Sequence, residues 1–142
     1  KGIRNYSSFH PSQTSMSAET AALYAGAGYN PDEWVISGTN ELHFRKLVRL
    51  CREEGISFYL VMAPMYDVYI RSINYESYTG KIAALAESEG VFYLDCNQHY
   101  EEIGLTAEDF EDAFTSYHHL NGSGAEKVTR FVMETVYGQE ED

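Results

Sequence analysis

Gly55-Ile56-Ser57-Phe58-Tyr59-Leu60-Val61-Met62-Ala63-Pro64 decides how the rest of the chain is read. A mostly apolar run with aromatic and β-branched members stands between a glycine and a proline. It is too short for a typical helix and lacks polar alternation, so a buried strand over 56–62 is expected. Immediately upstream, Phe44, Leu47, Leu50 and Cys51 recur at helical spacing, while Arg45, Lys46, Arg49 and Arg52 lie mostly on the opposite side. Asn40 is the expected cap of this helix and Gly55 its stop. Helix, glycine, strand is one half of a βαβ unit.

The same order returns further on. Tyr78, Ile82, Leu85 and Ala86 give an apolar side to a helix from about Tyr75 to Glu89. Gly90 ends it, and Val91-Phe92-Tyr93-Leu94 forms the second strand. Gly80 inside that helix costs about 1 kcal/mol against alanine, so packing must hold the helix in place. The repetition predicts parallel pairing through a right-handed crossover. The expected fold is therefore α/β with a short parallel sheet. Between the two units, Met65 to Ile73 is a tyrosine-bearing loop at the C-terminal end of the first strand. Open α/β sheets bind ligands at that edge, which makes Tyr66 and Arg71 candidate substrate contacts. A loop that only covers the sheet edge is the competing expectation.

The 142 residues suffice for one core, and 44% hydrophobic content argues against disorder over the whole length. The formal net charge of -12 speaks against nucleic-acid binding by charge. No apolar run approaches the ~20 residues of a membrane span. Residues 1–38 read as an arm or covering segment, 39–138 as the α/β unit and 139–142 as an acidic tail. Within the arm, Ser17 caps an expected helix through Tyr24, and Asp32 to Ile36 is an expected short strand whose Trp34 packs. The first residue is Lys1 rather than Met, with no signal-peptide pattern after it, so an excised or processed piece is expected. Cys51 and Cys96 fit no metal-finger spacing and read as buried thiols, their pairing left open.

Near the C-terminus stands Phe114-Thr115-Ser116-Tyr117-His118-His119-Leu120-Asn121-Gly122-Ser123-Gly124-Ala125. Imidazole is the side chain best suited to proton transfer near neutral pH. Thr106-Ala107-Glu108-Asp109 before it reads as a capped turn. Ser123 to Glu126 reads as a capping box opening a last helix, with Ala125, Val128, Val132, Thr135 and Val136 on its buried side. Asn121 reads as a residue of the helix start. His118 reads as a solvent-exposed spacer. A metal site drawn from His99, Glu101, Glu102, His118 and His119 is disfavoured, because adjacent histidines diverge in extended backbone and no two histidines stand four apart. No metal and no cofactor are expected.

His119-Leu120-Asn121 followed by Gly124-Ala125 resembles the last block of the SGNH (GDSL-like) esterase and acyltransferase superfamily. There a block Asp-x-x-His-Leu-Asn carries the catalytic histidine. The resemblance covers roughly Asn40 to Tyr137 and implies His119 as general base. It also implies a flavodoxin-like sandwich, of which this chain would be the C-terminal half. Ser116 occupies the position of the motif's Asp, a departure. A hydroxyl orients an imidazole but does not stabilise its cation as a carboxylate does. A dyad, a carboxylate supplied by Asp109 or Asp112, or lost catalysis would each accommodate the departure.

No Gly-Asp-Ser nucleophile block stands in the chain, and no Gly-x-Asn tripeptide is assigned as the oxyanion block. Ser37-Gly38 and Ser7-Ser8 do not replace them. The expectation is thus a part of an ester hydrolase or O-acyltransferase, inactive alone. The family implies acylated carbohydrate or cell-envelope polymer as substrate, and an extracytoplasmic setting. A non-catalytic binding or assembly module that keeps the histidine loop is the alternative. A sheet of so few strands leaves an unpaired edge, which predicts a homodimer or an exchange of elements.

Overall fold

The structure, a computed structural model, describes residues 17–24, 33–111 and 119–138. Helix α1 spans Ala18–Tyr24, and the Ser17 hydroxyl accepts the Thr20 N–H at 3.2 Å, as a cap does. Helix α2 spans Gly38–Glu53. Its cap is Ser37 and not the expected Asn40. The serine has extended backbone, and its hydroxyl accepts the Asn40 N–H at 3.2 Å, so the helix begins earlier than its charge pattern suggests. Gly55 ends the turn at φ 66°, where a side chain would be strained, and Ile56 N–H closes back on the Cys51 carbonyl at 2.8 Å.

Strands β1 (Tyr59–Met62) and β2 (Phe92–Asp95) pair in parallel, with Tyr59 opposite Phe92 and Met62 opposite Asp95. The protein is therefore mixed α/β, mostly helical, around a two-stranded parallel sheet. β1 starts later than expected, and β2 runs on to include Asp95. Helix α4 (Tyr75–Ser88) lies between the strands in sequence, capped by Asn74.

Side chains alternate across the sheet as the pleat requires. Tyr93 and Asp95 hydrogen-bond Thr79 of α4, and Met62 receives the Tyr75 hydroxyl at 3.8 Å. Val61 and Leu94 turn the other way. They join Cys96, Ile103, Leu105, Leu120, Val128, Phe131 and Val132 in the main core cluster. Short helix α5 (Tyr100–Ile103) and long helix α6 (Gly122–Tyr137) supply much of that cluster. Helical residues thus meet both faces of the sheet.

Three local expectations are corrected. On α2, Val48 and Cys51 are buried, but Leu47 and Leu50 are 46% and 52% exposed. Residues 33–37 form no strand. Trp34 is tied instead to α4, its N–H on the Ser77 hydroxyl at 3.0 Å and its ring edge-on to Tyr78 at 5.0 Å. The Met65–Ile73 loop contains a single helical turn, α3 (Asp67–Ile70). Both cysteines are buried and free. Among the described residues no helix is long and apolar enough to cross a membrane.

Candidate functional site: the histidine loop at the sheet edge

After β2 the chain tightens into a 3-10 turn, Cys96–His99, then α5, which stops at Gly104 with φ 71°. A second 3-10 turn, Ala107–Asp109, follows. The capping box expected at Ser123 is found here instead. Thr106 caps the turn through the Glu108 N–H, and the Asp109 carboxylate reaches back to the Thr106 N–H at 2.9 Å. The last helix opens on Asn121, whose side-chain oxygen accepts the Gly124 N–H at 3.1 Å. Asn121 outcompetes Ser123 as cap because it is extended and 2% exposed, where its amide also donates to the Glu108 carbonyl at 2.6 Å.

Among the described residues between these two caps, two backbone stretches meet. Phe110 and Leu120 form an isolated antiparallel bridge. Glu111 N–H donates to the His119 carbonyl, and Asn121 N–H to the Asp109 carbonyl, each at 2.9 Å. His119 is therefore flanked by two backbone hydrogen bonds, with its side chain exposed. Among the described residues no carboxylate bonds its ring. Ser116, His118 and Asp112 lie outside the described residues.

Leu120 carries the loop into the core. It packs against the main cluster and also against a second one built on Tyr66 and Phe110. Tyr66 lies just past the end of β1, so Leu120 packs beside the C-terminal edge of the sheet. Phe110 is fully buried, edge-on to Tyr66 at 5.4 Å and stacked with Tyr100 at 6.3 Å. The Tyr100 hydroxyl donates to the Met65 carbonyl. Burial first, then the Asp67 carboxylate, pushes the Tyr66 phenol above its ordinary value. Tyr66, expected to face a ligand, is 6% exposed and packs against protein. Arg71 is exposed and ion-paired to Asp67 one turn earlier. The structure does not bring these two residues into one open surface.

Two buried carboxylates brace the edge. Asp95, at the end of β2, accepts from the Tyr75 hydroxyl, from Thr79 at 2.8 Å, from Gln98 at 3.1 Å and from Asn97. Burial pushes this carboxyl up, and the combined donors outweigh that push and hold it below the ordinary carboxylate value. Asn97 also links the strand ends, accepting the Met65 N–H at 2.7 Å and donating to the Ala63 carbonyl.

Asp109 is the second, 1% exposed. The sequence offers it as a carboxylate for His119, but both its oxygens are engaged elsewhere. One accepts from Thr106 and from the Lys127 ammonium at 2.8 Å, the other from the Ser123 hydroxyl at 2.8 Å. Its carboxyl is held low against the upward push of burial, chiefly by Lys127. A signal for this role was present in the sequence: Thr106 and Asp109 have capping-box spacing.

Among the described residues no group of three or more His, Cys, Asp or Glu side chains could hold a metal ion. His99 pairs with Glu102 at 3.1 Å and leans on Phe131. No family model matches the chain, and neither a curated protein nor a solved structure does.

Proposed function

We propose that this chain is the C-terminal part of an SGNH-type ester hydrolase or O-acyltransferase with His119 as general base. The substrate would be an acyl group on a carbohydrate or cell-envelope polymer. The observation that carries the proposal is the division of work within His119-Leu120-Asn121. Leu120 packs into two core clusters and Asn121 caps α6, while the imidazole between them stays exposed at the C-terminal edge of a parallel sheet. That edge is where open α/β sheets bind ligands. In the proposed whole domain, further parallel strands would continue from β1 and complete a flavodoxin-like sandwich.

The chemistry is acyl transfer. A serine hydroxyl, supplied by the missing part of the domain, attacks the acyl carbonyl. His119 takes the hydroxyl proton as the C–O bond forms and returns it to the departing alkoxide. Water or an acceptor hydroxyl then repeats the sequence on the acyl-enzyme. With serine at 116, the imidazolium formed in passing lacks the usual carboxylate, so turnover is expected to be slow.

That departure favours a second proposal, a binding or assembly module in which the loop is architecture. A longer polypeptide of the kind proposed, containing this chain and a serine block, would separate them. For the enzyme, its p-nitrophenyl acetate hydrolysis falls about 10³-fold or more with His119→Ala, and Ser116→Asp raises the rate. A polypeptide with no serine block ahead of Lys1, or a rate indifferent to His119, rejects the esterase. The 142-residue chain alone is expected to release no p-nitrophenol above buffer.

A further inference from the structure

We propose that Asp109 is the positioning residue for His119, acting through Ser123 and Lys127 and never touching substrate. The inference rests on His119 being the base, and it assigns the buried Asp109 carboxylate a different job from that base's partner.

The connection can be followed bond by bond. The two backbone hydrogen bonds that flank His119 run Glu111 N–H to His119 carbonyl and Asn121 N–H to Asp109 carbonyl. The second ends on Asp109 itself. Its carboxylate is fixed to the first two turns of α6 by Ser123 and Lys127, and to its own turn by Thr106. Lys127 reaches on to the Gly104 carbonyl at 2.9 Å, which ties the same helix to the end of α5. Helix α6 is seated so closely that a methyl group at Gly124 would meet the Asp109 carbonyl oxygen at 2.3 Å.

One side chain therefore joins the turn before the loop to the helix after it. The imidazole stands two residues ahead of Asn121, the cap of that helix. Release of Asp109 from α6 lets the two flanking bonds open together, and the backbone that carries the ring loses its hold. Proton transfer needs the base within hydrogen-bond reach of the hydroxyl it serves, so such slack lowers turnover without altering what binds substrate.

The measurement is amide hydrogen exchange on the 142-residue chain, with Ser123→Ala as the mild variant and Lys127→Met as the severe one. Exchange at Glu111 and Asn121 should quicken tenfold or more, while Val61 and Leu94 in the sheet stay as in the parent. Lys127→Arg should restore the parent pattern. Unchanged exchange at both amides in folded Ser123→Ala overturns the clamp, whatever the activity. In the longer polypeptide, Ser123→Ala should lower kcat at least tenfold with KM within twofold. Faster exchange with an unaltered kcat overturns the positioning role alone. Absence of any His119-dependent hydrolysis overturns the enzymatic proposal and this role with it, and is told apart because the exchange result stands independently.

Discussion

The same substitution at two glycines should move stability in opposite directions. At Gly124, in the first turn of α6, an alanine Cβ would lie 2.3 Å from the Asp109 carbonyl oxygen, 2.8 Å from Leu120 Cδ2 and 3.0 Å from Asp109 Cβ. A carbon and a carbonyl oxygen rest at about 3.3–3.6 Å, so the helix start must back away by about 1 Å. Backing away stretches the 2.9 Å bond from Asn121 N–H to that carbonyl. The overpacking costs about 1–3 kcal/mol. A buried N–H left without its acceptor costs a further ~1–3 kcal/mol. Alanine's better helix propensity offsets at most ~1 kcal/mol. Gly124→Ala should therefore lose about 1–5 kcal/mol.

Gly80, in the interior of α4, has nothing within 4 Å of its added Cβ. Only the propensity term acts there, and Gly80→Ala should gain about 0.5–1 kcal/mol. For a chain of this size 1 kcal/mol shifts Tm by roughly 3 °C. The two variants should separate by roughly 5–18 °C on the same scale. Urea unfolding followed by circular dichroism gives both values under one set of conditions. A Gly124→Ala midpoint at or above that of the parent would refute the close seating of α6 on Asp109, and a destabilised Gly80→Ala would refute the open flank of α4.

Other consequences are as direct. Tyr66→Ala empties a buried aromatic site against Phe110 and should cost about 3–5 kcal/mol, whereas Arg71→Ala removes an exposed pair and should stay within ~0.5 kcal/mol; equal effects in urea titrations would contradict the burial described. Burial pushes Tyr93 up to about 12 and Cys96 up to about 11, and raises Tyr75 and Tyr100 as well. These groups ionise first in the unfolded chain, from about pH 8.5–10 upward, so the unfolded state binds fewer protons and stability falls as pH rises through that range. Asp95 and Asp109 are held low, so their stabilisation is complete above about pH 4 and is lost as pH falls through their native values. The urea midpoint should form a plateau near pH 5–8 and decline on both sides; a midpoint that climbs from pH 9 to 11 is the contrary result. β1 pairs only with β2 among the described residues, so self-association through its other edge is expected, and a concentration-independent monomer in light scattering counts against it.

The alternation of helix and strand was legible because it is written in short-range pattern. Gly55 and Gly90 both take positive φ, as stops should, and the apolar runs between stops and polar turns became the two paired strands. Errors fell where a choice depended on what lies opposite. Ser37 and Asn40 are both good caps by type, and only the backbone at Ser37 selects between them. Leu47 and Leu50 share an arc with Cys51, but only Cys51 found cover in the tertiary structure. The Trp34 segment has strand-like composition, yet its backbone found a partner in the Ser77 side chain rather than a ladder. Around the histidine, the helix-starting role of Asn121 could be read from residue type. The engagement of Asp109 with Ser123 and Lys127 could not, since it spans 14 and 18 residues and depends on how α6 is seated.

The histidine triplet itself bears on whether the loop is more than architecture. An architectural loop accounts for Leu120, which fills space between two clusters, and for Asn121, which caps a helix and ties two carbonyls. It accounts for the backbone of residue 119, whose carbonyl receives the Glu111 N–H. It does not account for the imidazole, which is exposed and takes part in neither core cluster. His119→Ala should therefore leave the urea midpoint within ~0.5 kcal/mol of the parent. Asn121→Ala, losing the cap and leaving the Glu108 and Phe110 carbonyls without its amide, should cost about 2–3 kcal/mol. If truncating His119 proves as damaging as truncating Asn121, the ring has a structural task after all, and the case for a proton-transfer role loses its support.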